Sequence, residues 1–105
     1  MVQKADTKNL IFQRLDGKRE NLALLGVKNI GIFGSFVRGE QMPSSDIDIL
    51  VEFLPEQHTF DNFMELAFFL EELLGQKVEL VTTESLSPHI GPHILREVER
   101  VPIAA

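Results

Sequence analysis

The sequence predicts an α+β domain in which helices pack on one face of a small mixed β-sheet. Three observations carry the prediction. Val27–Phe33 and Asp46–Phe53 are short runs rich in Ile and Val, with the length and composition of strands. Between Phe60 and Leu74 apolar residues recur at helical spacing over a wide face. A third strand-like run, Lys77–Val81, follows, so the order is two helices, strand, turn, strand, helix, strand, helix.

Each element has its own start and stop signals. Asp6 or Thr7 can cap a first helix carrying Leu10, Ile11, Arg14 and Leu15, and Gly17 interrupts it. A second helical run through Leu22, Leu24 and Leu25 stops at Gly26. The first strand buries Ile30 and Ile32 and ends at Gly34. Ser35–Gly39 makes a short helical turn, and Gln41-Met42-Pro43-Ser44 is loop chemistry. Pro55 ends the second strand, which pairs most simply with the first. Thr59 or Asp61 opens the long helix, and Gly75 closes it. The third strand is expected beside the second. His89–Val101 reads as a last short helix, preceded by Ser87 and Pro88.

The 105 residues, 1–105, are read as one domain, long enough for a core and too short for a second globular unit. With 44% apolar and 25% charged residues, the composition is that of a soluble globular protein. No apolar run approaches the roughly 20 residues that span a bilayer, and the polar stretch Met1–Leu10 resembles neither a signal nor a transit peptide. The lack of cysteine excludes disulfides and thiolate zinc sites and fits a cytoplasmic location. A net charge of −6, with no Lys/Arg cluster, argues against direct DNA binding.

The chemistry concentrates between Gly34 and Asp48. Asp46 and Asp48 are two apart on a strand, so they share one face while Ile47, Ile49, Val51 and Phe53 share the other. Adjacent like charges repel, and a divalent cation is the most economical reason for them. Glu79, between Val78 and Leu80, faces away from the core and can reach the same patch across about 4.8 Å of strand spacing. Three carboxylates would then converge. The glycine turn is not a P-loop, because Glu40-Gln41 stands where Lys and Ser/Thr are required. Nor is it a dinucleotide fingerprint or a nucleophile elbow; Phe33 and Val37 fill the glycine positions of the latter. Ser35 is therefore better read as a phosphate ligand, with backbone N–H groups at a helix start beside it.

Gly34-Ser35, Arg38-Gly39, Ser45-Asp46-Ile47-Asp48 and Val78-Glu79-Leu80-Val81 together resemble the nucleotidyltransferase superfamily that includes DNA polymerase β and kanamycin nucleotidyltransferase. Within it the chain is similar to the minimal nucleotidyltransferases, or MNT proteins, paired with HEPN-domain toxins. The resemblance implies a polymerase-β-like fold. It implies that Asp46 and Asp48 bind two Mg²⁺ ions, with Mn²⁺ also acceptable, and that Glu79 is a third metal ligand or general base. Many relatives carry Asp at that third position. It implies further that Gly34 and Ser35 cradle the outer phosphates of ATP and that Arg38 touches the triphosphate or braces the turn. Ser45 is grouped with the nucleotide-binding residues, although its own chemistry reads as a cap or turn into the second strand. The implied activity is transfer of AMP from ATP to a tyrosine of a HEPN toxin ribonuclease, by an antitoxin.

Structural readings compete at several of these positions. A lone Glu on an edge strand is often only a solubilising charge, and Arg38 can simply pair with Glu40. His58, His89 and His93 lack metal-ligand spacing and read as surface residues. The stripe from Phe60 to Phe69 reads as core, with part of it available to a partner. About two dozen residues follow Glu79, which is short for an acceptor-binding domain. The acceptor is then expected on another macromolecule or across a homo- or hetero-oligomer. The chain has no Tyr and cannot be its own tyrosine acceptor. The alternative is a non-catalytic antitoxin that neutralises its partner by binding.

Overall fold

The computed structural model describes residues 2–103. Thr7 starts the regular structure: its Oγ1 accepts the Leu10 N–H at 3.2 Å and caps helix α1 (Lys8–Gly17). Helix α2 (Arg19–Leu24) follows, and Gly26, at φ +84°, turns the chain into strand β1 (Val27–Phe33). A single helical turn, α3 (Ser35–Arg38), and a loop lead to β2 (Ile47–Phe53). Thr59 caps helix α4 (Phe60–Leu74) by accepting the Asn62 N–H at 3.1 Å, and Gly75 closes it in the left-handed region at φ +70°. Strand β3 (Val78–Thr82), a 3₁₀ turn, helix α5 (Gly91–Glu97) and strand β4 (Glu99–Pro102) complete the chain.

The sheet order is β3-β2-β1-β4. β1 runs antiparallel to both β2 and β4, and β2 runs parallel to β3, with α4 as the crossover. The expected small mixed sheet is thus observed, with β3 beside β2. Its inner face is Ile30 and Ile32 of β1 with Ile47, Ile49 and Val51 of β2, all fully buried. Ile11 and Leu15 of α1 and Leu66, Leu70 and Leu74 of α4 belong to the same core. Each such side chain contributes about 1.5–3 kcal/mol by leaving water, which fixes the register of β2. A slip of one residue would send Asp48 inward and Ile49 outward.

Two expectations are corrected. The last helix does not run to Val101: α5 ends at Glu97, and Glu99–Pro102 is a fourth strand. β1 otherwise has a free edge, and pairing Ile30 with Val101 and Gly31 with Arg100 satisfies its backbone groups. The phenylalanine stripe is also less buried than expected. Phe63 and Phe69 pack against the core, but Phe60 is 76% and Phe68 64% exposed. Leu66, Leu70 and Leu74 take the sheet-facing side, and Phe68 lies about 200° round the helix from Leu66. Among the described residues, no helix is long and apolar enough to cross a membrane.

Candidate active site

The outer face of the sheet carries the acids. The antiparallel register sets Phe33 opposite Asp48, and the parallel register sets Asp48 opposite Glu79. Asp46 lies just before β2, is exposed, and is close enough for its charge to act on Asp48. Directly after Phe33 the chain reverses at Gly34, with φ +78° and ψ −151°. A Cβ at Gly34 would overlap Asp48 Oδ2 outright, so only glycine lets the turn lie this close to the carboxylate. The turn is held by the Val37 and Arg38 N–H groups donating to the Gly34 carbonyl at 3.1 and 3.2 Å. The Glu40 N–H donates to the Ser35 carbonyl at 2.9 Å, and Gly39 closes the turn at φ +72°.

Asp48 is half-buried, and its pKa is pushed up from 3.8 to about 6. Burial is the largest cause. The charge of Glu79 and its hydrogen-bonding reach follow, then Asp46; Arg38 opposes them. The patch therefore holds surplus negative charge on hard oxygen donors, the chemistry that suits Mg²⁺ or Mn²⁺. Among the described residues, no three acidic or imidazole side chains already stand as a closed coordination set. The fit lies in donor type and in uncompensated charge, with the Asp48–Glu79 pair as nucleus and exposed Asp46 beside it.

Arg38 makes two ion pairs. Its Nε donates to Glu40 Oε1 at 2.6 Å, the pairing the sequence suggests, and its NH1 donates to Glu97 Oε1 at 2.6 Å. Hydrogen bonding to Glu40 and then to Glu97 raises the guanidinium pKa further. Glu97 also accepts the Gly34 N–H on Oε2 at 2.8 Å. Burial alone would raise the Glu97 carboxyl, but the Gly34 N–H and Arg38 outweigh it and hold it below its ordinary value. No sequence signal pointed to Glu97, because 63 residues separate it from Gly34 and 59 from Arg38. Ser45 closes a turn: its Oγ accepts the Met42 N–H at 2.9 Å. His58 is exposed, stacks on Phe53 at 5.1 Å between ring centres and bonds Glu84.

Known proteins share this sequence and fold. The sequence profile of the "Nucleotidyltransferase domain" family matches residues 16–101. The protein adenylyltransferase MntA of Thermococcus cleftensis is 48% identical over 81 residues, covering 77% of this chain and 81% of that protein. A solved structure assigned as a minimal nucleotidyltransferase superposes with a TM-score of 0.69 at 34% identity, covering 83% of this chain and 92% of that one. A toxin–antitoxin structure with AMP-PNP gives a TM-score of 0.61 at 26% identity, covering 78% of this chain and 70% of that one.

Proposed function

The chain belongs to the nucleotidyltransferase domain family, and on that premise we propose that it is a metal-dependent protein adenylyltransferase acting as an antitoxin. It moves AMP from ATP to a tyrosine hydroxyl of a cognate HEPN toxin. The observation that carries the reading is Asp48 of β2, in register with Glu79 of β3 and pressed against the Gly34 turn. The adenylyltransferase relative and the toxin–antitoxin neighbour with AMP-PNP support it.

Asp46, Asp48 and Glu79 would hold the metal, which when bound neutralises charge at the triphosphate and activates the attacking oxygen. The Gly34 turn and Ser35 hold the outer phosphates through N–H groups and a hydroxyl. Arg38 adds a guanidinium that can grip two phosphate oxygens. Attack of the tyrosine oxygen on the α-phosphorus forms the new phosphodiester, and pyrophosphate leaves. The phenolic proton passes to Glu79, which stands opposite Asp48 on β3. The acceptor comes from the partner, since this sequence has no Tyr.

Incubation with ATP, Mg²⁺ and the toxin should add the mass of AMP to a toxin tyrosine. No mass gain under conditions where the two proteins form a complex would sink the proposal. A second reading, neutralisation by binding alone, is favoured by the apolar groove of Leu24, Leu25, Phe68 and Phe69 between α2 and α4. Its signature is a toxin still blocked by Asp46→Asn/Asp48→Asn.

A further inference from the structure

The donors that would receive a phosphate in the Gly34 turn already have an anion. The two oxygens of Glu97 divide between them: Oε2 takes the Gly34 N–H at 2.8 Å and Oε1 takes Arg38 NH1 at 2.6 Å. A phosphate group would engage the same N–H and guanidinium with two of its oxygens. Glu97 is not a loose surface charge, because its side chain is only 24% exposed while that of Glu40, the other Arg38 partner, is 65% exposed. Glu40 also leaves the Gly34 amide untouched.

We propose that Glu97 is a built-in competitor for the phosphate cradle, and that the phosphates of a nucleotide bind by displacing it. The inference rests on the nucleotide-binding reading above and adds a specificity device to it. A single inorganic phosphate would exchange one anion for another and gain little. A triphosphate brings further charge and metal ligation, so the cradle opens for polyphosphates and stays shut to simple anions.

The motion required is small. Glu97 is the last residue of α5, and Val98 follows before β4. β4 itself stays pinned by its pairing with β1 from Asn29–Pro102 to Ile32–Glu99. Val98 Cγ2 would lie 2.7 Å from a Cβ at Gly31, so the segment is seated on the bare backbone of β1. Release of Glu97 therefore loosens the end of α5 without unzipping the sheet.

The test is calorimetric titration of the full chain with tripolyphosphate, and with AMP-PNP plus Mg²⁺, for wild type, Glu97→Gln and Glu40→Gln. Glu97→Gln should bind both probes about three- to tenfold tighter, as loss of a partly exposed competing ion pair allows. Glu40→Gln should change binding less. Amide exchange on the wild type gives an independent reading: AMP-PNP should slow exchange at residues 34–38 and speed it at 94–98. The inference is overturned if Glu97→Gln binds no tighter, if Glu40→Gln tightens binding equally, or if exchange at 94–98 slows. If none of the three proteins binds either probe, the nucleotide-binding reading falls and takes this inference with it.

Discussion

Asp48→Asn should make the metal-free protein more stable while abolishing transfer. Asp48 has a folded-state pKa of about 6 against an ordinary 3.8, so the fold disfavours its charge. At about 1.36 kcal/mol per pKa unit, that difference is about 3 kcal/mol. Asp48 is only half-buried, and screening reduces the effect to about 1–2 kcal/mol. In a domain near this size, 1 kcal/mol moves Tm by about 4–8 °C, so the variant should melt about 4–16 °C higher in EDTA at neutral pH. The direction with pH follows from proton linkage. The folded state holds the Asp48 proton more tightly than the unfolded chain. Its stabilising contribution is complete below about pH 4 and is lost as pH rises through about 6. The wild type should therefore lose stability relative to the variant across that window, and Mg²⁺ should recover the difference in the wild type only. Thermal melts by circular dichroism, paired at each pH, isolate the Asp48 contribution. An equal or lower Tm for Asp48→Asn at neutral pH, or a gap that ignores pH, would mean that the fold does not disfavour the Asp48 charge.

Gly34→Ala should destabilise the fold by about 2–4 kcal/mol, from positive-φ strain plus the overlap with Asp48; a denaturant titration showing under ~0.5 kcal/mol would contradict it. Glu79→Gln should slow AMP transfer by about 10²- to 10⁴-fold if Glu79 takes the proton. It should also lower the Asp48 pKa, because the neighbouring charge is gone; an NMR titration that leaves Asp48 unmoved would break the link between the two strands. Transfer by the wild type at limiting Mg²⁺ should fall as pH drops through about 6, when Asp48 protonates. Added Mg²⁺ should shift that fall to lower pH, and a single-turnover rate flat across the range would contradict the ionised-Asp48 requirement.

Much of this geometry is legible locally. Ile47, Ile49, Val51 and Phe53 alternate with Asp48 and Glu52, so β2 declares its two faces. A neighbouring strand reading Val78-Glu79-Leu80 then brings Glu79 to Asp48 by register alone. Thr7, Thr59 and Gly75 mark helix ends because capping is short-range chemistry. β4 was hidden because Glu99-Arg100-Val101-Pro102 has a single inward apolar residue and no turn signal before it. Its strand state comes from the free edge of β1. Glu97 was hidden for the same reason, since its partners are fixed by the fold and not by neighbours in sequence. Leu50 also breaks the alternation of β2: it is 2% exposed on the acid face, opposite Gly31, against which Val98 is seated.

In the proposed function the carboxylates around Asp48 drive a covalent transfer and do not merely decorate a binding surface. The direct measurement is the ribonuclease activity of the toxin after exposure to this protein with ATP and Mg²⁺, followed by removal of the antitoxin under denaturing conditions and refolding. The toxin should stay silent and carry AMP on tyrosine. It should recover fully after the same treatment with Asp46→Asn/Asp48→Asn. Full recovery after treatment with the wild-type protein would contradict it.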